Sequence, residues 1–319
     1  MFRVSFSGSL VDSTDRSLPT AQVSCGAFAA ALLDQRVRRL VSLQLDVLSD
    51  RDPEPLHQMR VTCRQMRSTV EQFAAALLLP EQVSASRLSR IGSDLGLCRD
   101  LDVMRQRLDH HWMPLLPERE QAALRKLLKQ LKRERKLAFV VLTDTLKGRR
   151  YLKLLARLQV WLRQPQFTPM GAEPIVAWSP ELQQAVLAGL FSVPGWWVEH
   201  PHEADAAIAL HQLRRRLKQA RYGLANLSGL DPQAFEPWLI QFKQMQTALG
   251  DLQDLRVLFS TIERLLDQAP DAAMPTLCSL IFEAREQAWQ RWLQVSSTLR
   301  SVDGRQQLMR LQLMAASNS

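Results

Sequence analysis

Apolar residues recur along most of this chain at alternating spacings of three and four, which is typical of helices with one buried face. Prolines and polar turn residues separate these segments and predict where the helices end. The first half contains five such segments, at 25–49, 55–79, 81–111, 118–147 and 150–163. The second half contains five more, at 180–192, 205–228, 233–267, 271–300 and 304–316. The pattern therefore predicts an all-α protein.

One helical segment occurs twice, 154 residues apart. Residues 56–68 read LHQMRVTCRQMRS and residues 210–222 read LHQLRRRLKQARY, with six identities in thirteen positions. A second block, LGLCRDLDV at 95–103, recurs as LGDLQDLRV at 249–257 with five identities in nine. Because both blocks repeat at the same offset, the sequence indicates an internal duplication.

The duplication predicts how the chain is organised. Residues 1–22 are expected to be loosely ordered, as terminal segments often are. A first helical repeat is predicted at 23–163, a connection at 164–179 and a second helical repeat at 180–316. The connection contains three prolines, and its aromatic residues Phe167 and Trp178 favour partial packing over a mobile linker.

The amino-acid composition narrows the class of molecule that the chain is expected to bind. The chain has 41 Lys plus Arg against 32 Asp plus Glu, a net charge of +9. This excess favours polyanions, which include nucleic acids, anionic lipids and inorganic phosphate polymers. The four cysteines lack zinc or redox spacing, and no apolar run approaches the roughly 18 residues of a membrane span. We therefore expect a cytoplasmic protein without membrane insertion.

The duplicated helix has a row of basic residues beside its apolar stripe. At about 100° per residue, the row covers an arc of about 80°, and it contains His57, Arg60, Arg64 and Arg67. The second repeat has the same row with one extra cation, and it contains His211, Arg214, Arg216, Lys218 and Arg221. No Asp or Glu lies within 55–70 or 206–230 to neutralise them. Three cations span about 10 Å, so the rows predict a linear polyanionic ligand.

The second repeated block predicts supporting residues. Gly96 and Gly250 lie inside long helical segments, where glycine costs about 1 kcal/mol relative to alanine, so a close approach is expected there. Asp100 and Asp254 follow four residues later on the same face. We expect these carboxylates to orient an arginine of the basic rows, with metal ligation as the lesser alternative.

These residues resemble those of the CHAD family, the conserved histidine α-helical domain. The resemblance depends on the His-x-x-Arg-x-x-x-Arg-x-x-Arg pattern from His57 to Arg67, on its second form from His211, and on the paired Leu-Gly blocks. It implies an all-α fold of two tandem four-helix repeats, related by pseudo-twofold symmetry around a basic groove or pore. It also implies that the two basic rows bind inorganic polyphosphate.

The chain departs from the family pattern in a few places. Gln65 replaces a common basic residue, Gln253 stands where the first repeat has Arg99, and Arg256 stands where it has Asp102. The ExExK motif of the triphosphate-tunnel domain that many relatives carry is absent, so a stand-alone module is expected.

Three functions follow as hypotheses. The first is non-enzymatic polyphosphate binding, with no catalytic residue, metal or cofactor, and with association with polyphosphate granules left open. The second is RNA or other nucleic-acid binding, although only Tyr222 places an aromatic ring among the basic positions. The third is an enzyme that uses His57 or His211 as a phosphoryl acceptor or metal ligand. The pairs His110-His111 and His200-Pro201-His202 suggest metal ligation, but they lack a three-ligand spacing.

Overall fold

The computed structural model describes residues 23–266 and 268–317, so the segment 1–22 that is expected to be loosely ordered lies outside it. Within the described residues the regular elements are helices, together with two isolated β-bridges. The α-helices in chain order are α1 Cys25–Ser49, α2 Pro53–Gln72, α3 Ala85–Gln106, α4 Glu118–Lys147, α5 Arg149–Arg163, α6 Pro169–Ala172, α7 Ile175–Leu187, α8 Ala204–Leu227, α9 Pro232–Leu265, α10 Pro270–Ala273, α11 Pro275–Arg300 and α12 Val302–Ser317. A π-helical turn at Arg107–Trp112 follows α3.

Side-chain caps fix several helix starts. The side chains of Ser24, Asp52 and Asp231 each accept a hydrogen bond from a backbone N–H two or three residues later, at 3.2, 2.9 and 3.0 Å. Pro53 and Pro232 occupy the first turn that follows two of these caps, where the missing N–H carries no penalty. Helices α1, α2 and α9 therefore begin at local sequence signals.

Consecutive long helices pack side by side around one apolar core. Helix α2 packs between α1 and α3, and α8 packs between α7 and α9. The apolar stripe of α2 is buried at Leu56, Met59, Cys63, Met66 and Val70. The stripe of α8 is buried at Leu210, Leu213, Leu217, Ala220 and Leu224. Helices α2 and α8 also contact each other. Since the basic row of each helix lies next to its buried stripe, both rows lie close to the contact between the halves.

The two halves are also joined at the start of α11. Glu120, near the beginning of α4, is buried, and its carboxylate accepts hydrogen bonds of 3.0 Å from the backbone N–H groups of Thr276 and Leu277. A carboxylate at a helix N-terminus satisfies otherwise unpaired N–H groups and interacts favourably with the helix dipole. Glu120 therefore caps a helix of the other half.

Two helix predictions were wrong at their ends. Helix α7 was expected at 180–192 but runs from Ile175 to Leu187, with Pro180 inside it. Proline lacks the N–H that would bond the Val176 carbonyl, and the Ser179 hydroxyl donates to that carbonyl at 3.2 Å instead. Helix α2 was expected to reach residue 79 but ends at Gln72, and a short turn follows.

The segment predicted to connect the halves lies against the end of α2. The backbone N–H of Leu78 donates to the carbonyl of Gln166 at 3.0 Å, and the N–H of Thr168 donates to the carbonyl of Ala76 at 3.2 Å. A Cβ on Gly171 would lie 2.1 Å from the Ala76 carbonyl oxygen, so only glycine fits this approach. Helices α6 and α7 begin within this segment.

None of the helices that the structure describes is both long enough and apolar enough to cross a membrane.

Candidate functional site

A cleft of about 370 Å³ lies between α2, α7 and α8 and is lined by part of each basic row, Arg64 and Arg67 of the first and Arg216 and Lys218 of the second. We call it the basic cleft and define it by the cations that line it, which are Arg64, Arg67, Arg215, Arg216 and Lys218. Helix α2 contributes two of these residues and α8 contributes three. Arg215 was not among the predicted site residues, although it lies next to Arg214 and Arg216 in the same basic run. The cations of the two halves therefore share one cleft.

Arg60 is held beside the cleft by residues of α3. Its Nη1 donates to the Asp100 carboxylate at 2.7 Å and to the Gly96 carbonyl at 3.1 Å. A Cβ on Gly96 would lie 3.5 Å from Nη2 of Arg60, so the guanidinium packs against the helix surface at this glycine. The Arg60 side chain is 11% exposed and that of Asp100 is 66% exposed, so the carboxylate holds the arginine from the solvent side.

Arg214 has a similar but looser arrangement on α9. Its Nη2 lies 3.8 Å from the Asp254 carboxylate, and a Cβ on Gly250 would lie 3.3 Å from the same atom. Burial lowers the pKa of Arg214, Asp254 opposes this effect and Arg64 adds to it. The influence of Arg64 on Arg214 shows that charges from α2 and α8 lie near one another.

Most of the remaining row residues have no carboxylate partner. Arg67 pairs with Glu71 at 2.9 Å on the half-exposed rim of the cleft. Arg216 donates a hydrogen bond of 3.4 Å to the Gln219 side-chain oxygen, and the Arg221 guanidinium lies 4.9 Å from the centre of the Tyr222 ring. Among the described residues, no acid forms an ion pair with Arg64, Arg216, Lys218 or Arg221. The cleft thus carries uncompensated positive charge.

Lys218 shows the strength of that positive field. Burial and, after it, the charges of Arg214 and Arg64 lower its pKa to about 7, while Asp254 acts in the opposite direction. Lysine normally titrates near 10.4. Near neutral pH, Lys218 is therefore ready to take up a proton when an anion enters the cleft.

The two row histidines are exposed and do not line the basic cleft. Burial lowers the pKa of His57, and the charge of Arg99 lowers it further. Burial also lowers the pKa of His211, with Arg214 as the next contribution. Both imidazoles are therefore mainly neutral at pH 7, so each can donate or accept a hydrogen bond.

Several buried arginine Nε atoms around the site have no hydrogen-bond acceptor among the described residues. These atoms belong to Arg60, Arg99, Arg214 and Arg221. A buried donor without an acceptor costs about 1–3 kcal/mol. An anion with several oxygens would supply acceptors to such groups and would offset their repulsion.

A buried arginine that sequence reasoning missed joins the two halves below the cleft. Arg36 of α1 is 8% exposed, and its guanidinium donates to the Asn226 side-chain oxygen at 2.6 Å and to the Gln65 carbonyl at 3.1 Å. Asn226 in turn donates to the Gln72 side-chain oxygen at 2.7 Å. The sequence feature that points to a buried Arg36 is its position inside the apolar stripe of α1, between Leu33 and Leu40.

The histidines outside the rows do not meet in a metal site. His202 pairs with Glu286 and stacks on Phe282, with ring centroids 5.4 Å apart. In residues 23–266 and 268–317, no group of three or more His, Cys, Asp or Glu side chains is arranged to hold a metal ion.

Comparison with solved structures identifies the fold. The structure is similar to the crystal structure of the CHAD domain from the plant Ricinus communis, with a TM-score of 0.61 and 22% sequence identity, covering 92% of this chain and 93% of that one. It is also similar to PptA from Streptomyces chartreusis, with a TM-score of 0.66 and 17% identity, covering 86% of this chain and 99% of that one. No curated protein matches the sequence significantly.

The family model of the CHAD domain matches residues 31–263, which is more than half of the chain and includes both basic helices and both Leu-Gly blocks. The all-α architecture agrees with that match. The chain therefore belongs to the CHAD domain family.

Proposed function

We propose that this protein binds inorganic polyphosphate in the basic cleft and does not convert it chemically. The observation that carries the proposal is the convergence of cations from α2 and α8 on one cleft where few carboxylates oppose them. Among the described residues, Glu71 is the one acid that both lines the cleft and forms an ion pair there. A folded protein that maintains such a cluster is stabilised when a polyanion neutralises it.

The dimensions of the rows favour a chain of phosphates over a single one. From His57 to Arg67 the row extends for about 15 Å at 1.5 Å per residue, and the row on α8 has the same length. The residues proposed to contact the ligand are His57, Arg60, Arg64, Arg67, His211, Arg214, Arg216, Lys218 and Arg221, with Arg215 added from the lining of the cleft. Asp100 and Asp254, beside Gly96 and Gly250, orient Arg60 and Arg214 for that contact.

We also propose that the halves are tandem repeats related by an approximate twofold axis that passes near the cleft. At an offset of 154 residues, α2, α3, α4 and α5 correspond to α8, α9, α11 and α12. The direct contact between Gln72 and Asn226, which are themselves 154 residues apart, supports this arrangement. Such symmetry would place equivalent cations on both sides of one bound chain.

Nucleic-acid binding is the second candidate, and the net charge favours it equally. Proteins that bind single strands place aromatic side chains where bases can stack. Tyr222 is the one aromatic residue that lines the basic cleft among the described residues, and it is 9% exposed with the Arg221 guanidinium over its ring. The cleft therefore favours a polyanion without bases.

No catalytic step is proposed for His57 or His211. A nucleophilic histidine needs an orienting carboxylate, whereas the nearest influences on these two imidazoles come mainly from arginines. Incubation with polyphosphate followed by mass spectrometry tests this part. Phosphohistidine at either position, or a fall in polymer length over time, would show that the protein acts as an enzyme.

The binding proposal is tested by titration with polyphosphates of increasing length at several salt concentrations. Affinity should rise with chain length until the cleft is filled, and its logarithm should fall linearly with the logarithm of the salt concentration. Length-independent or salt-insensitive binding would contradict the proposal. Competition with a single-stranded homopolymeric RNA at equal phosphate concentration distinguishes polyphosphate binding from nucleic-acid binding. A fluorescent fusion in cells tests localisation to cytoplasmic polyphosphate granules.

A further inference from the structure

A second, smaller cavity lies beyond the N-terminal end of the basic row on α8. We call it the end pocket and define it by the four residues His211, Arg214, Arg256 and Arg285, which come from α8, α9 and α11. Its volume is about 30 Å³. Since about 10–15 Å³ accommodates one water molecule, the end pocket has room for two or three water-sized polar groups.

Two arginines of the end pocket lack acidic partners. Among the described residues, Arg256 and Arg285 form no ion pair with any carboxylate. Burial lowers the pKa of Arg285, and the positive charge of Arg256 lowers it further. Glu286 raises this pKa, and its carboxylate is bonded to His202. The pocket therefore concentrates positive charge that the protein itself leaves unneutralised.

The corresponding place in the first half is built differently. At the offset of 154 residues, Arg256 corresponds to Asp102 and Arg285 corresponds to Leu131. Asp102 accepts a hydrogen bond of 3.0 Å from Arg135, which also pairs with Asp50. Those charges are already neutralised inside the fold. Among the described residues, unpaired arginines at both of these positions are thus found in the second half, whereas the first half has the single unpaired Arg99 beside His57.

The second half also shifts a cation along α9. In the first half Arg99 influences His57, whereas the equivalent position in the second half is the neutral Gln253. Arg256 lies three residues later, which is about one helical turn along the same face, and it influences His211. The positive charge beside the histidine is therefore retained, but it stands one turn further along α9, and both positions line the end pocket.

We propose that the end pocket is a subsite for the terminal phosphoryl group of a linear phosphate chain, with Arg256 and Arg285 as the residues that bind it. The subsite rests on the proposed function, because the rest of the chain would continue along the row of α8 through Arg214 toward Lys218. It is directional, since the first half offers no equivalent pair of free guanidinium groups among the described residues.

The chemistry of a chain end fits this pocket better than that of an internal unit. A terminal phosphoryl group carries a second ionisable oxygen with a pKa of about 6 and approaches two negative charges at neutral pH. Two guanidinium groups match that charge, and each can present paired N–H donors to the oxygens. The apolar walls at Leu210 and Leu249 are buried, which strengthens the attraction by excluding water.

The test compares linear tripolyphosphate, which has two chain ends, with cyclic trimetaphosphate, which has none. Binding of each is measured calorimetrically for the unaltered protein, for Arg256→Gln/Arg285→Gln and for the single variant Arg256→Gln. The matched control is Lys243→Gln, which removes an exposed cation from the same helix α9 about 20 Å away. Circular dichroism melting checks the fold of each variant, and Arg256 is exposed enough that its substitution spares the core.

We expect the double variant to bind tripolyphosphate roughly tenfold more weakly, in line with the loss of charged hydrogen bonds. Trimetaphosphate affinity should change by less than about twofold, and Lys243→Gln should match the unaltered protein for both ligands. Equal losses for the linear and the cyclic ligand, or no loss for either, would overturn the subsite.

Long-chain polyphosphate separates this inference from the proposed function. If the unaltered protein binds long chains in a salt-dependent way and the double variant binds tripolyphosphate normally, the function stands and the subsite is wrong. If the unaltered protein binds neither long chains nor tripolyphosphate, both are wrong.

Discussion

The side-chain amide of Asn226 donates a hydrogen bond of 2.7 Å to the side-chain oxygen of Gln72, the residue at the equivalent position of the other half. In the proposed twofold arrangement, two residues that the rotation interchanges touch each other only near its axis. The Arg36 guanidinium also bonds Asn226, at 2.6 Å, so this contact belongs to a buried polar network between the halves. The network lies at the C-terminal ends of α2 and α8, the two helices whose cations line the basic cleft.

Replacing Asn226 by leucine should destabilise the protein by about 3 kcal/mol, because the buried Arg36 guanidinium would lose its side-chain acceptor. Urea denaturation followed by circular dichroism measures the change. The double variant Arg36→Met/Asn226→Leu should recover part of the loss, since no charge is then left buried without a partner. Additive losses in the double variant would show that the two side chains act independently.

Removing one cation from each half of the basic cleft should weaken polyphosphate binding by about tenfold or more. The variant Arg64→Gln/Lys218→Gln tests this, because neither residue pairs with a carboxylate among the described residues. The slope of log affinity against log salt should become shallower by roughly 0.7 for each cation lost. The control Lys126→Gln/Lys129→Gln removes two exposed cations of α4 outside the cleft and should change neither quantity.

Polyphosphate affinity should fall as the pH rises through the range near the pKa of Lys218, about 7. The bound polyanion favours the charged lysine, so binding takes up protons near neutral pH. Calorimetry in buffers of different ionisation enthalpy measures this uptake. Lys218→Met should remove most of it, and an unchanged uptake in that variant would assign the protons to other groups, such as His57 and His211.

The same lysine predicts how stability depends on pH without ligand. Its pKa is about 7 in the folded protein against an ordinary 10.5, so the unfolded chain binds more protons between these values. The free energy of unfolding contributed by this group therefore rises with pH from about 7 to about 10, and the cost of the buried charge is fully present below 7. Lys218→Met should flatten this dependence in urea denaturation measured at about pH 6 and about pH 9.

Alanine substitutions at three helical glycines should rank in order of the space around them. A Cβ on Gly92 would lie 4.0 Å from the nearest atom, against 3.5 Å at Gly96 and 3.3 Å at Gly250. Gly92→Ala should stabilise the protein by about 0.5–1 kcal/mol through helix propensity. Gly250→Ala should gain least, because Arg214 must move, and it should also weaken polyphosphate binding. Thermal melting ranks the variants, and a larger gain at Gly250 than at Gly92 would contradict this account.

Local sequence signals were sufficient for much of the fold. The expected helices at 25–49 and 118–147 coincide with α1 and α4, because a capping serine and a proline mark their starts and a polar or glycine residue follows their ends. The prediction for α7 is wrong because a proline such as Pro180 usually marks a helix boundary. A proline can lie inside a helix when another donor reaches the freed carbonyl, and here the preceding serine does so.

The site was less accessible to sequence reasoning, because it depends on which helices meet. The spacing of the rows gave the cations of α2 and α8, but it carried no information on Arg285, which comes from α11. The spacing also could not show that Arg135 forms an ion pair with Asp102 in the first half, while Arg256 forms no ion pair among the described residues of the second half. Contacts between distant helices follow from packing, which a residue-by-residue pattern does not contain.

Because Glu120 of the first half caps α11 of the second half, the stability of each half depends on the other. If residues 23–163 were produced alone, a buried carboxylate would lose both of its backbone donors, and α11 would lose its cap in the complementary fragment. The two halves therefore share two hydrogen bonds at a buried carboxylate, and we expect them to unfold together in a single cooperative transition.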